Sequence, residues 1–285
     1  QRPLTYREAR AEIERIAQVL LEDLQLVPGN RVLLRGGNSL EMALAWLGVV
    51  KAGMIALATM PLLRARELGD ILEKAQPSAA LCDARLLEEL EAARAQPAGA
   101  CLRAVVSFNA PQDGQSLEAR AATKRGRADW PRTRADDIAL MAFTSGTTGK
   151  PKAPVHSHRD VLAACEAWPR HVLEIASDDV VVGSPPLAFT FGLGGLLIFP
   201  MWGGASVWLP GAGYTPESLV RTFHDVGATI CFTAPTFYRQ MAPFAKELGV
   251  GSLRKTISAG EGLPDATRQP WMEASRIEKI DGIGP

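Results

Sequence analysis

The 285-residue sequence predicts an α/β protein built on mostly parallel sheets flanked by helices. Short apolar runs alternate with amphipathic or apolar helical stretches along nearly the whole chain, the pattern that yields parallel strands joined by crossover helices. With 47% hydrophobic and 22% charged residues, the chain can bury one large core or two modest ones. A polar stretch poor in large aliphatics separates two such series. It predicts a first α/β subdomain over 1–110, a connecting segment over 111–137 and a second subdomain over 138–285.

Each element has its own signal. Residues 4–26 carry Ala9, Ile13, Ile16, Ala17, Leu20 and Leu24 at helical spacing with charges between them, and Val27-Pro28-Gly29-Asn30 ends the helix. A strand over 31–34, a largely buried helix over 39–52 and a strand over 54–58 follow. The alternation continues with helix 65–75, strand 79–82, helix 85–95 and strand 102–107. After the polar stretch come strand 138–143, a loop, a helix from Ser157 to about residue 172 with Ser157 as its N-cap, and strand 180–184, stopped by Pro185-Pro186. A glycine-rich helix over 192–199 leads to strand 205–209, helix 216–226, strand 229–233 and helix 235–246. Strand 255–258, helix 264–274 and strand 277–280 complete the series.

Charge and cysteine usage narrow the function classes. Lys+Arg and Asp+Glu both number 31, so nothing in the balance calls for nucleic acid or an acidic membrane surface as partner. No apolar run approaches the ~20 residues of a membrane helix; the stretch 193–202 is short and holds Pro200. Cys82, Cys101, Cys165 and Cys231 are far apart with no C-x-x-C pair, which reads as reduced core cysteines in a cytoplasmic protein. A homodimer is an admissible assembly. His156 and His158 lack a third ligand nearby and read as helix-start or surface residues, and no metal-ligand set is expected.

The chemistry concentrates on Thr144-Ser145-Gly146-Thr147-Thr148-Gly149-Lys150-Pro151-Lys152, directly after the predicted strand over 138–143. Hydroxyls, glycine backbone N–H groups and two lysines form a donor set that can converge on an anion, nucleotide phosphate being the natural guest. By composition alone the same run is equally a flexible surface loop. A Walker A loop does not fit, because Thr144 stands where its first glycine belongs and Pro151 where Ser/Thr should bind magnesium. The run from Gly192 to Leu197 misses the dinucleotide fingerprint at its last glycine. This loop and the one after Ser258 both leave the carboxyl ends of predicted strands, where open α/β sheets bind ligands.

The stretch from Thr144 to Lys152 resembles the signature loop of the adenylate-forming superfamily: acyl- and aryl-CoA ligases, peptide-synthetase adenylation domains and firefly-type luciferases. The run from Pro185 to Gly194 resembles that family's second core motif, and Ser258-Ala259-Gly260-Glu261-Gly262-Leu263-Pro264 its adenine-site loop. The forms A-F-T-F-G-L-G-G and S-A-G-E-x-L-P look most like the benzoate and 2-aminobenzoate CoA ligase branch. The resemblance covers nearly the whole chain from Leu4 to Gly284 and implies two stacked α/β subdomains, the N-terminal domain of such an enzyme.

The same resemblance implies an activity. An ATP-dependent aryl-acid CoA ligase activates a carboxylate as an acyl-adenylate and then forms the CoA thioester, with Mg2+ accompanying ATP. Thr144, Ser145, Gly146, Thr147, Thr148, Gly149 and Lys152 would hold phosphate, Thr144 and Lys152 taking part in catalysis. Gly260, Glu261, Gly262, Asp281 and Gly282 would complete the nucleotide site. Phe189, Thr190, Phe191, Gly194, Ala259 and Gly284 would line the pocket for an aromatic acid. Lys150 is less firmly implied, and Ala153-Pro154 departs from the Gly-Val common after this loop. Relatives continue beyond Pro285 with a magnesium-binding Glu, a ribose-binding Asp and a C-terminal domain carrying a catalytic Lys, so the chain reads as a substrate-binding piece of a ligase, inactive alone. The alternatives are an adenylation enzyme that loads a carrier protein and a non-catalytic nucleotide- and acid-binding fragment.

Overall fold

Thr5 opens the first helix, α1 (Tyr6–Gln18), through a reciprocal cap: its hydroxyl accepts from the Glu8 N–H while the Glu8 carboxylate accepts from the Thr5 N–H. This computed structural model describes residues 3–126, 129–143 and 152–282. The chain divides into two compact units, Gln1–Val161 and Leu162–Pro285.

In the first unit α1 runs on through a π-helical turn, Val19–Asp23. The succession is then β1 (Arg31–Arg35), α2 (Leu40–Lys51), β2 (Ile55–Thr59), α3 (Ala65–Ala75), β3 (Ala79–Asp83), α4 (Leu87–Arg94), β4 (Ala104–Phe108), α5 (Leu117–Ala122), β5 (Ile138–Ala142) and β6 (Val155–Ser157). Among the described residues these strands form one sheet in the order β4-β3-β1-β2-β5-β6, parallel except for β6. Strand β1 is buried along most of its length, as the continuous apolar run demands of a central parallel strand.

Arg35, one residue beyond the predicted strand, is 1% exposed. Its guanidinium donates to the carbonyls of Met60 (2.9 Å), Pro61 (3.0 Å), Leu63 (2.8 Å) and Leu86 (3.3 Å), so a buried charge is satisfied by backbone dipoles and pins the turn after β2.

The boundary between the units differs from the expectation. Strand β5 pairs in parallel with β2, Ala56 opposite Leu140 and Ala58 opposite Ala142, which keeps residues 138–161 with the first unit. The polar stretch before it is a connection inside that unit. Its helix α5, absent from the sequence reading, buries Leu117 and Ala121, and Glu118 accepts from the Asn109 N–H at 2.6 Å. Periodicity identifies a strand but not the neighbour that completes its hydrogen bonds.

Helix α6 (His158–Trp168) leads into the second unit, which contains β7 (Val180–Gly183), α7 (Thr190–Leu193), α8 (Phe199–Gly203), β8 (Ser206–Val207), α9 (Pro216–Asp225), β9 (Ile230–Phe232), α10 (Pro235–Leu248), β10 (Lys255–Ser258), α11 (Asp265–Ser275) and β11 (Lys279–Asp281). The predicted single helix over 192–199 is instead α7, a π turn over Gly194–Ile198 and α8 in succession. Two glycines and Pro200, which has no N–H to give, explain the departure from a regular α ladder. The described strands follow the order β11-β10-β9-β7-β8, all parallel. Tyr238 anchors α10 to this sheet: its hydroxyl donates to the Cys231 carbonyl at 2.7 Å, with the Ile257 carbonyl at 3.2 Å, and its ring lies 4.8 Å from that of Trp271 on α11.

Candidate active site

The strand order of the second sheet decides where a ligand fits. From β7 the chain passes to β8 on one side and later to β9 on the other, so the order reverses between β7 and β9. The carboxyl ends of strands at such a reversal leave a crevice, because the connections that follow depart in opposite directions.

Gly183 and Phe232 are the last residues of β7 and β9, and beyond them the Ser184 and Thr233 hydroxyls hydrogen-bond to each other. The segment after β7 is the second motif. Phe189 is 43% exposed, its N–H donates to the Pro186 carbonyl at 3.0 Å, and its own carbonyl accepts from Leu193 at 2.7 Å to start α7. Thr190 is exposed and Phe191 half-buried. Only glycine fits at 192: a Cβ there would lie 2.0 Å from the Pro186 carbonyl oxygen.

An aromatic group gathers at this end of the sheet. Phe191 meets Phe232 edge to face, centroids 5.8 Å apart; Trp168 lies 6.4 Å from Phe232 and 5.9 Å from Phe199. Glycines flank the rings closely, since a Cβ on Gly195 would come within 2.5 Å of the Phe232 ring and one on Gly194 within 3.0 Å of Phe199. Phe232, Trp168 and Phe199 escaped the sequence reading. Phe232 carried a usable signal, since it lies one residue before the carboxyl end of the strand predicted over 229–233; Trp168 and Phe199 offered none beyond being aromatic.

The loop after β10 joins the same end of the sheet. Ala259 is buried, Gly260 is exposed at φ +87°, and Glu261 and Gly262 are exposed. Gly282 donates its N–H to the Ser258 carbonyl at 2.7 Å, and the Ser258 hydroxyl donates to Asp281 at 3.2 Å. A Cβ on Gly282 would touch Ala259 at 3.4 Å and Trp168 at 3.9 Å. Thus Phe191 meets Phe232, Gly194 lies against Phe199, and Gly282 lies against Trp168 and Ala259, with Asp281 held beside it by Ser258. The side chain of Glu261 is turned to α10, where Thr236 holds it.

Of the phosphate loop, residues 144–151 lie outside the described residues, as does Gly284. Its frame belongs to the first unit. Strands β5 and β6 run antiparallel with Met141 opposite Val155, and the Ala142 N–H donates to Pro154 at 3.0 Å. Phe143 and the exposed Lys152 therefore stand at the carboxyl end of β5. Ser157 caps α6 as expected: its hydroxyl accepts from the Asp160 N–H at 3.2 Å, and the Asp160 carboxylate accepts from the Ser157 N–H at 2.7 Å. That pair, and then Asp160's position beside His156 and Arg159, hold the Asp160 carboxyl below its usual range.

The sequence model of the AMP-binding enzyme matches residues 1–285, the whole chain. The chain belongs to the AMP-binding enzyme family. Within the family it is 31% identical to a benzoate–CoA ligase of Thauera aromatica over 282 residues, 98% of this chain and 53% of that protein. It is 32% identical to an anthranilate–CoA ligase of Pseudomonas aeruginosa over 264 residues, 91% of this chain and 49% of that protein. Its fold superposes on an anthranilate CoA ligase solved with anthranoyl-AMP at a TM-score of 0.89 and 30% identity, covering 100% of this chain and 55% of that one. The chain thus spans about half the length of the relatives it matches.

Among the described residues of this AMP-binding chain no three His, Cys, Asp or Glu side chains converge to hold a metal ion. No described helix is long and apolar enough to cross a membrane. An open cleft of about 380 Å³ lies beside Arg31, Ile55 and Ile138, the first residues of their strands, and carries none of the predicted site residues.

Proposed function

We propose that this chain is the nucleotide- and acid-binding part of an ATP-dependent aryl-acid CoA ligase of the benzoate or 2-aminobenzoate type. The observation that carries the reading is the aromatic group at the sheet reversal, Phe191, Phe232, Trp168 and Phe199, with Gly195 against Phe232, Gly194 against Phe199, and Gly282 against Trp168 and Ala259. Ring edges and bare backbone favour a flat aromatic guest over a flexible chain. The similarity to benzoate and anthranilate ligases supports the same substrate class.

In the proposed reaction the acid's carboxylate oxygen attacks the α-phosphorus of ATP, the bond to the β-phosphate oxygen breaks, and pyrophosphate leaves. The CoA sulfur then displaces AMP from the acyl carbon, losing its proton. No side-chain nucleophile is needed; the protein's part is to align two anions and offset charge. Thr144, Ser145, Gly146, Thr147, Thr148, Gly149 and Lys152 hold the outer phosphates, and the backbone of 259–262 with Asp281 and Gly282 bounds the nucleotide. Magnesium, when bound, screens the phosphate charge. The four cysteines carry free thiols, which fits a reducing, cytoplasmic setting.

The test is pyrophosphate and thioester formation by the protein at its natural length, given ATP, magnesium and CoA with benzoate, 2-aminobenzoate or straight-chain acids. CoA-dependent thioester formation preferring the aromatic acids is expected. Pyrophosphate release without CoA thioester would point to a carrier-protein acceptor, and no acid-dependent release at all would overturn the reading.

A further inference from the structure

Helix α10 starts without a cap of its own. Its N-cap residue is Ala234, which has no side-chain acceptor, and Pro235 at the next position has no N–H. Thr236 is the first residue with a donor to place, and the acceptor comes from the loop after β10. The Glu261 carboxylate takes the Thr236 N–H at 3.4 Å on one oxygen and the Thr236 hydroxyl at 3.1 Å on the other. A carboxylate is well matched to a helix N-terminus, where unpaired N–H groups and the peptide dipoles favour negative charge.

The tether matters because of what it holds. The ends of the loop are fixed independently: Ala259 is buried, and the Pro264 carbonyl accepts from Thr267 (2.8 Å) and Arg268 (3.0 Å) to begin α11. Between them Gly260, Glu261 and Gly262 are exposed, and a Cβ at either glycine would meet nothing within 4 Å. Packing therefore does not set their conformation. The partner helix is rigidly seated, because fully buried Tyr238, two residues after Thr236, bonds to β9 and β10 backbone.

We propose that Glu261 is a positioning residue: by bridging to Thr236 it holds the backbone of 259–262 in the shape that receives the nucleotide, without its side chain touching the ligand. This rests on the nucleotide role of that loop in the proposed function. Losing the bridge leaves the glycine-rich segment free to sample other conformations, and ATP binding must then re-order it.

The experiment uses the natural-length protein and the variants E261A, T236V, T236S and the double T236V/E261A. Two quantities are measured: amide hydrogen exchange over 259–263 without ligand, and the Kd of ATP with KM for ATP and for benzoate. E261A and T236V should each speed exchange over the loop and weaken ATP about three- to tenfold, with KM for benzoate unchanged. The double variant should be no worse than E261A alone, because loss of the carboxylate already removes the hydroxyl contact that T236V deletes. T236S, which keeps the hydroxyl, should restore the wild-type Kd. Additive losses, unaltered loop exchange, or faster exchange with unaltered ATP affinity would each overturn the proposal. A wild-type protein that binds ATP but activates no acid would sink the ligase reading alone, since the Kd comparison still reads the bridge; one that binds no ATP would overturn both.

Discussion

The ring of Phe191, on the segment after β7, stands edge to face against that of Phe232 at the end of β9, with centroids 5.8 Å apart and planes at 61°. The segment after β7 and the end of the neighbouring β9 thus each contribute one ring to the same corner. In the proposed enzyme F191A should raise KM for benzoate about tenfold, from lost burial and stacking, and leave KM for ATP within twofold. Steady-state kinetics with each substrate varied in turn are decisive. An equal loss for both substrates would mean that the ring serves packing only.

Lys152 remains exposed at the carboxyl end of β5, beyond the Ala142–Pro154 backbone bond. If its ammonium pairs with nucleotide phosphate, K152A should slow acyl-adenylate formation by roughly 10- to 100-fold, the value of one charge-assisted contact. Burst-phase formation of the adenylate measures it. A variant within twofold of wild type would remove Lys152 from the phosphate site.

Glycine 192 differs from glycine 262 in what surrounds it. A Cβ on Gly192 would sit 2.0 Å from one backbone carbonyl oxygen and 2.6 Å from another, whereas one on Gly262 would meet nothing within 4 Å. G192A should therefore cost ~2–3 kcal/mol of stability through backbone displacement, and G262A within ~0.5 kcal/mol of wild type. Denaturant unfolding of the pair checks this; similar values for both would show that the turn over 186–192 yields easily.

Lys279 gives a pH dependence. It is 2% exposed, its ammonium donates to the Thr267 carbonyl at 3.0 Å, and it lies 5.0 Å over the Tyr238 ring. Burial, and then the nearby Arg268, push it down to about 8 from an ordinary 10.5. The native state releases this proton before the unfolded chain does, so between about 8 and 10.5 the unfolded state binds more protons. Across that window the stability of the wild type relative to K279M should rise with pH, and below it the difference should be constant. Urea midpoints at several pH values test the sign; a relative stability that falls would refute it.

Much of this molecule was legible one residue at a time. Alternating apolar runs announced the parallel sheets, and local capping chemistry at Ser157 was readable because donor and acceptor sit three residues apart. The order of the three motifs and their places after strands were equally a matter of the chain's own succession. The tertiary structure alone decided that β5 belongs beside β2, that the polar stretch before it folds back as a helix, and that Arg35 is buried among carbonyls up to 51 residues away. It also decided that Trp168, Phe191 and Phe232 share one corner and that Glu261 faces Thr236 across 25 residues of sequence. The physical reason is common to all of these: periodicity and capping act within a few residues, whereas the partner of a strand edge, a ring or a buried charge is chosen by whichever distant segment satisfies it when the sheet closes.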